Sequence, residues 1–197
     1  MSNMKDSDKT KDGYTFSTAS SDTKLTNYND AVPSLIQSKR QMDRYNLNID
    51  AQAVLVATRL MAAGAKLGHA TEIHFSRFGL STGRYRLLAD LEDNEGEALP
   101  SQLAEHLGVT RATVTGLIDT LERDDLVSRR PSSKDGRQKS VILTEEGAKK
   151  LRDMAPEHFA RLEAMVGLLS IEERSVFLDL LDRVTKGISA LTEELEE

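Results

Sequence analysis

Apolar residues recur along this chain at two spacings, one of three to four residues and one of two, and the order of the two predicts the architecture. The longest apolar-rich run, AQAVLVATRLMAAGAKLGHATEIHFSRF at 51–78, is predicted as one helix capped by Asp50 and ended by Gly79. Its 28 residues would span roughly 40 Å. Val54, Leu55, Leu60, Met61, Leu67, Ile73, Phe75 and Phe78 cover more than one stripe of it. A surface helix needs a single stripe, so this one is expected to touch both its own domain and another chain. Gly64 and Gly68 share a face, and either allow close helix approach or weaken the helix. Upstream, Pro33 suits the first turn of a short helix, VPSLIQSKRQMDRYN, that ends before Leu47. Downstream, Ser81 caps a helix over TGRYRLLADLED (82–93).

A turn at Asn94-Glu95-Gly96 leads to PSQLAEHL (100–107), a helix with Pro100 at its first position. Gly108 ends it, and Thr110 caps the next, RATVTGLIDTLERDD (111–125). Two short helices about a Gly108-Val109 turn form a helix-turn-helix. Val114, Leu117, Ile118 and Leu121 form its inward face, while Ala112, Thr113, Thr115, Gly116 and Asp119 fall elsewhere. Several of these are small, as a helix lying against another surface requires. The period then changes to two. LVSRR (126–130), stopped by Pro131, and KSVILT (139–144) flank SSKDGR, whose Asp-Gly is a hairpin signal. Thr144 caps EEGAKKLRDMAPEHFARLEAMVGLL (145–169), which Pro156 is expected to kink or divide. Ser170 and Glu173 form a capping box that opens a last amphipathic helix through about Leu191. The predicted fold is mainly α with a small β-hairpin wing. A winged helix-turn-helix at 81–144 is flanked by helices at 33–80 and 145–197, behind a polar, aperiodic tail at 1–32 read as flexible.

Composition narrows the function. With no cysteine among 197 residues, disulfides, thiolate metal sites and thiol redox sensing are all excluded. No run of 18 apolar residues occurs, and MSNMKDSDKTKDG lacks the apolar stretch of a signal peptide, so the cytoplasm is expected. The net charge of −6 is uneven: −1 over 1–98, +1 over 99–144 and −6 over 145–197. Within 126–144, Arg129, Arg130, Lys134, Arg137 and Lys139 stand against Asp135 alone, giving +4. A polyanion would be drawn to the hairpin and repelled by the C-terminal end.

That polyanion is expected to be double-stranded DNA. The second helix of such a unit enters a major groove while the wing reaches a flanking backbone or minor groove. Thr110, Arg111, Thr113 and Thr115 occupy the first turns of the groove-entering helix, and Arg130, Lys134, Arg137 and Lys139 charge the wing. Asp135 is placed to structure the turn and aim Arg137 into a minor groove. Arg129 and Arg130 have a competing structural use, pairing with Asp124 and Asp125. Of the histidines, His69 and His74 do not converge on one helix face, and His106 and His158 are remote in sequence. No metal site or cofactor is expected. Nor is an enzyme: there is no Ser/His/Asp set, phosphate-binding glycine loop or metal spacing. The alternative is a winged-helix protein-interaction scaffold, whose acidic or hydrophobic face would contrast with the basic ribbon here.

The run LPSQLAEHLGVTRATVTGLIDTLERDDLVSRRPSSKDGRQKSVILTEEG resembles the DNA-binding core of the MarR (multiple antibiotic resistance regulator) family. Asp135-Gly136-Arg137, five residues, then Leu143-Thr144 match that family's D-x-R-x₅-L-T wing pattern. The resemblance implies a homodimer built from the N- and C-terminal helices, with two wings on a pseudo-palindromic operator. It also implies a regulator, most often a repressor, relieved by a small aromatic or anionic ligand held between the DNA-binding and dimerising parts. His74, Arg77, Arg84 and Tyr85 lie in the corresponding neighbourhood, where the competing use is surface pairing with the acidic stretch Asp90–Glu97. The chain departs from the family at Leu99, where a Ser or Thr cap is usual and a looser helix start is expected, and in its long leading segment. The apolar C-terminal helices, from Phe159 to Leu191, carry more apolar surface than a winged helix alone covers, which also favours a symmetric dimer seam.

Overall fold

The computed structural model describes residues 33–131 and 139–193. The tail expected at 1–32 and the wing tip, with Lys134, Asp135 and Arg137, lie outside the described residues. The elements are α1 (Leu35–Arg44), α2 (Ala51–Ser76), α3 (Thr82–Asp93), β1 (Glu97–Ala98), α4 (Pro100–Leu107), α5 (Arg111–Arg123), β2 (Val127–Pro131), β3 (Lys139–Leu143), α6 (Glu145–Met165) and α7 (Ile171–Lys186). A short 3₁₀ turn, Ile188–Leu191, follows α7. Two compact units divide the chain, residues 1–67 and 68–197.

In the first unit α1 begins at Leu35, two residues after Pro33. Ser34 is its cap: the Ser34 hydroxyl accepts the Gln37 amide at 3.3 Å and Gln37 Oε1 accepts the Ser34 amide at 2.6 Å. Pro33 therefore precedes the cap instead of lying inside the first turn. Asp50 caps α2 as expected, its carboxylate accepting the Gln52 amide at 2.8 Å. A side-chain carbon placed on Gly64 or Gly68 would meet nothing within 4 Å, so the close approach these glycines permit is unused among the described residues.

The second unit is a winged helix. Leu87, Leu88 and Leu91 of α3, Leu103 and Leu107 of α4, Val114, Ile118 and Leu121 of α5, and Val127 and Val141 of the strands form one buried core. Phe75, Leu151 and Met154 close it from α2 and α6. Gly108 joins α4 to α5 with φ at 67°, a left-handed turn that glycine adopts without steric cost. The start of α4 lacks a side-chain cap at Leu99, but Gln102 Oε1 accepts the Leu99 amide at 2.9 Å and closes it. The sheet has three strands, in the order β1-β3-β2, all antiparallel. β1 is an addition to the two strands legible in the sequence. It is two residues long, pairing Glu97 with Ile142 and Ala98 with Val141 after the Gly96 turn.

Pro156 does not divide α6, which runs unbroken from Glu145 to Met165. A proline in a helix interior costs about 3 kcal/mol. Here buried Leu151, Met154 and His158 anchor the helix on both sides of it. The last helix stops earlier than expected, at Lys186, with Gly187 as its cap, and none of its described residues is buried. No helix among the described residues is long and apolar enough to cross a membrane.

The base of the wing is the tightest joint in the unit. Thr144 Oγ1 donates to the Asp125 carbonyl at 2.7 Å and accepts the Gly147 amide at 3.0 Å. The Thr144 amide donates to the Leu126 carbonyl at 3.2 Å. At Gly147 a side-chain carbon would lie 2.2 Å from the Leu126 carbonyl oxygen and 2.7 Å from Leu143 Cδ1. Gly147→Ala is therefore expected to destabilise the protein by about 1–3 kcal/mol, although alanine is the better helix former. Thermal unfolding of the two proteins checks this; an unchanged midpoint contradicts the packing described.

Candidate nucleic-acid interface

α5 is held by its inner face and presents the opposite one. Val114, Ile118 and Leu121 are buried, whereas Thr110, Arg111, Ala112, Thr113, Thr115 and Gly116 are exposed. Thr110 caps the helix by accepting the Thr113 amide at 3.1 Å, and the Thr110 and Thr113 hydroxyls share a hydrogen bond at 2.9 Å. Thr115 Oγ1 donates to the Arg111 carbonyl at 2.9 Å. Of these three hydroxyl protons, two are thus engaged within the helix and one remains for an outside acceptor. Among these side chains Arg111 supplies the cationic donor, at a helix start that itself favours anions.

The wing strands carry the other cations. In the β2–β3 register Arg130 faces Ser140 and Pro131 faces Lys139. Arg130 and Lys139 are exposed, at the end of the ladder next to the wing tip. Arg129 has a different placement. Its guanidinium bonds Asp119 and Glu122 of α5, and its amide donates to Glu122 Oε1 at 3.1 Å. The sequence suggested Asp124 and Asp125 as partners for Arg129 and Arg130, but Asp124 bonds Arg84 instead. The reason is the turn at Asp125, with φ at 58°, which sends β2 back along α5 and past its last residues.

His74, Arg77, Arg84 and Tyr85 do not converge as one set. Arg84 donates to the Gly79 carbonyl at 3.1 Å and pairs with Asp124, which spends it on joining the start of α3 to the end of α5. Arg77 is exposed, 4.0 Å from Glu157. Within the Asp90–Glu97 stretch, Asp90 takes His106 at 3.0 Å. His74 and Tyr85 do come together, on a residue that sequence reasoning left aside. His158 Nδ1 lies 3.0 Å from His74 Nε2, and His158 Nε2 lies 3.1 Å from the Tyr85 hydroxyl. Phe75 stacks on Tyr85 with centroids 4.2 Å apart, and Phe159 tilts against His158 at 5.2 Å. The available signal was helical spacing: Leu151, Met154 and His158 fall at i, i+3 and i+7, on the face of α6 that packs inward. Beside this cluster, a cleft of about 280 Å³ opens among Phe78, Leu126 and Met154, rimmed by Glu146, Lys149, Lys150 and Asp153.

Comparison with known proteins places the whole arrangement. The sequence model described as MarR family matches residues 80–139. The HTH-type transcriptional repressor YetL of Bacillus subtilis (strain 168) is 37% identical over 143 residues, which span 72% of this chain and 86% of that protein. The chain belongs to the MarR family. Two MarR family transcriptional regulators of Streptomyces coelicolor share its fold. Sco3205, in a crystal structure with DNA, aligns at a TM-score of 0.65 and 25% identity, covering 71% of this chain and 89% of that one. AbsC aligns at 0.63 and 26%, covering 72% and 97%.

Burial lowers the proton affinity of both rings in this MarR family chain. His74 is held below its ordinary 6.5 by desolvation, then by the charges of His158, Arg161 and Arg77, with Glu157 opposing. His158 is held below 6.5 by desolvation. Burial, then Asp93 and Glu92, raise the Tyr85 phenol. Unfolded histidines take up protons that the folded pair refuses, so this contribution to stability is complete above about pH 6.5 and is lost as pH falls below it. The thermal midpoint is therefore expected to drop between pH 7 and pH 5 more steeply than in the His74→Gln/His158→Gln variant. Melting curves across that range decide it; equal slopes contradict the neutral pair.

Proposed function

We propose that this protein is a homodimeric, sequence-specific DNA-binding regulator of transcription, acting in the cytoplasm as a repressor relieved by a small aromatic or anionic ligand. The observation that carries the reading is that one packed unit presents both the exposed first turn of α5, with its threonines and Arg111, and the exposed cations Arg130 and Lys139 at the wing. Thr110, Arg111, Thr113 and Thr115 would meet base edges and phosphates in a major groove. Arg130, Lys134, Arg137 and Lys139 would follow the flanking backbone, with Asp135 shaping the wing tip. The name of YetL as a repressor and the DNA complex of Sco3205 support this direction.

Residues 33–80 and 145–197 would hold two copies together, and 81–144 would carry the DNA contacts. Support comes from the apolar surface left open on one chain. Phe159 is 62% exposed, Leu168 98% and Val176 59%. A second copy related by a two-fold axis covers such a face with the same face. For the ligand, the aromatic faces around His74 and Tyr85 and the exposed charge of Arg77 suit a planar anion. Arg84, committed to Asp124, would hold the start of α3 instead of touching the ligand.

Selection of bound duplexes from a random pool tests the reading directly. The expected product is a pseudo-palindrome with half-sites about one helical turn apart. On that duplex, log affinity should fall with log salt at roughly −0.9 per phosphate contacted, and Arg130→Ala should lower both affinity and the slope by about one contact. A chain that sediments as a monomer, or that enriches no duplex at low salt, would leave the interaction-scaffold alternative standing.

A further inference from the structure

Thr115, Asp119 and Glu122 fall at i, i+4 and i+7 on one side of α5, so the flank that carries an exposed hydroxyl also carries two carboxylates. Both carboxylates are exposed. On a helix that must lie beside two phosphate chains, such a pair repels its target. Arg129 answers both charges at once. It reaches across from β2, its guanidinium bonding Asp119 and Glu122 while its own amide donates to Glu122. The hydrogen bond to Asp119 and the charge of Glu122 hold the guanidinium proton more firmly than usual, so Arg129 stays cationic.

We propose that Arg129 is an internal counter-ion, which masks Asp119 and Glu122 so that the groove-entering helix can approach DNA, and that it makes no phosphate contact of its own. The inference rests on the DNA-binding reading above and assigns a role within it. It divides the wing arginines by task. Arg129 spends its charge on the protein, and its sequence neighbour Arg130, exposed on the opposite face of the strand, keeps its charge for the nucleic acid.

The test uses the duplex that the unaltered full-length protein enriches, with binding measured by fluorescence anisotropy over a salt series. Arg129→Gln should weaken binding by about tenfold or more at low salt. It should leave the log–log salt slope unchanged, because no phosphate contact is removed. Adding Asp119→Asn and Glu122→Gln to Arg129→Gln should return affinity to within about threefold of the unaltered protein, since nothing then remains to be masked. Asp119→Asn/Glu122→Gln with Arg129 kept should bind at least as tightly as the unaltered chain, and this variant guards against a folding defect in the single one. The inference is overturned if the triple variant stays as weak as Arg129→Gln, if Arg129→Gln binds normally or loses one phosphate's worth of slope, or if the double variant binds more weakly. A chain that enriches no duplex at all, seen before any variant is made, overturns the DNA-binding reading and this inference with it.

Discussion

The geometry of the winged helix is set by two peptide carbonyls, those of Asp125 and Leu126, at the left-handed turn after α5. Thr144 takes both, one through its hydroxyl and one through its amide, and the same hydroxyl caps α6. Three segments that are distant in function thereby share one residue: the end of the groove-entering helix, the end of the wing and the start of α6. The approach is so close that only a glycine fits at position 147. The side chain of Thr144 thus carries several demands at once. It must donate outward, accept inward and still end a strand, three demands that a β-branched hydroxyl meets together.

Electrostatics then sorts the charged residues by whether the fold has already spent them. Arg84 and Arg129 are tied to carboxylates in the C-terminal part of α5 and at its cap. They join α3 to α5 and β2 to α5, so their value is in holding elements in register. Arg111, Arg130 and Lys139 stand exposed at the helix start and the wing. The −6 carried by residues 145–197 belongs to the part of the sequence that follows the wing. A chain can therefore be acidic overall and still attract a polyanion, because attraction is decided within about a Debye length of the contacting surface, roughly 8–10 Å.

The hydrophobic period and the caps made most of the elements legible in the sequence. Thr110, Thr144 and Ser170 each cap the helix that their spacing indicated. What escaped has physical causes. β1 is only two residues, too short to show any alternation. Pro156 looked like a breaker because local propensity says nothing of Leu151 and His158 buried on either side. The partners of Arg129 were misassigned because nearness in sequence favoured Asp124 and Asp125, whereas chain reversal at Asp125 brought Asp119 and Glu122 into reach. His158 was set aside because 84 residues separate it from His74, and only the folded chain joins them. In each case tertiary packing overrode the local pattern.

α6 joins the parts of this design through two adjacent residues with opposite environments. His158 is 6% exposed and faces the winged helix, while Phe159, next in sequence, is 62% exposed and faces outward. Their rings nonetheless touch, 5.2 Å between centroids, so the outer apolar face and the inner histidine–tyrosine cluster are in van der Waals continuity. In the proposed dimer, a partner seated on Phe159 would press on His158, and through it on His74 of α2 and Tyr85 of α3. Neutral histidines donate with one nitrogen and accept with the other, so the proton on His158 dictates which way both neighbours must turn. Close packing leaves such a cluster few alternative arrangements. In that proposed dimer, a shift of the seam would reach the end of α2 and the start of α3, and a planar ligand inserted among these rings would act on the same joint.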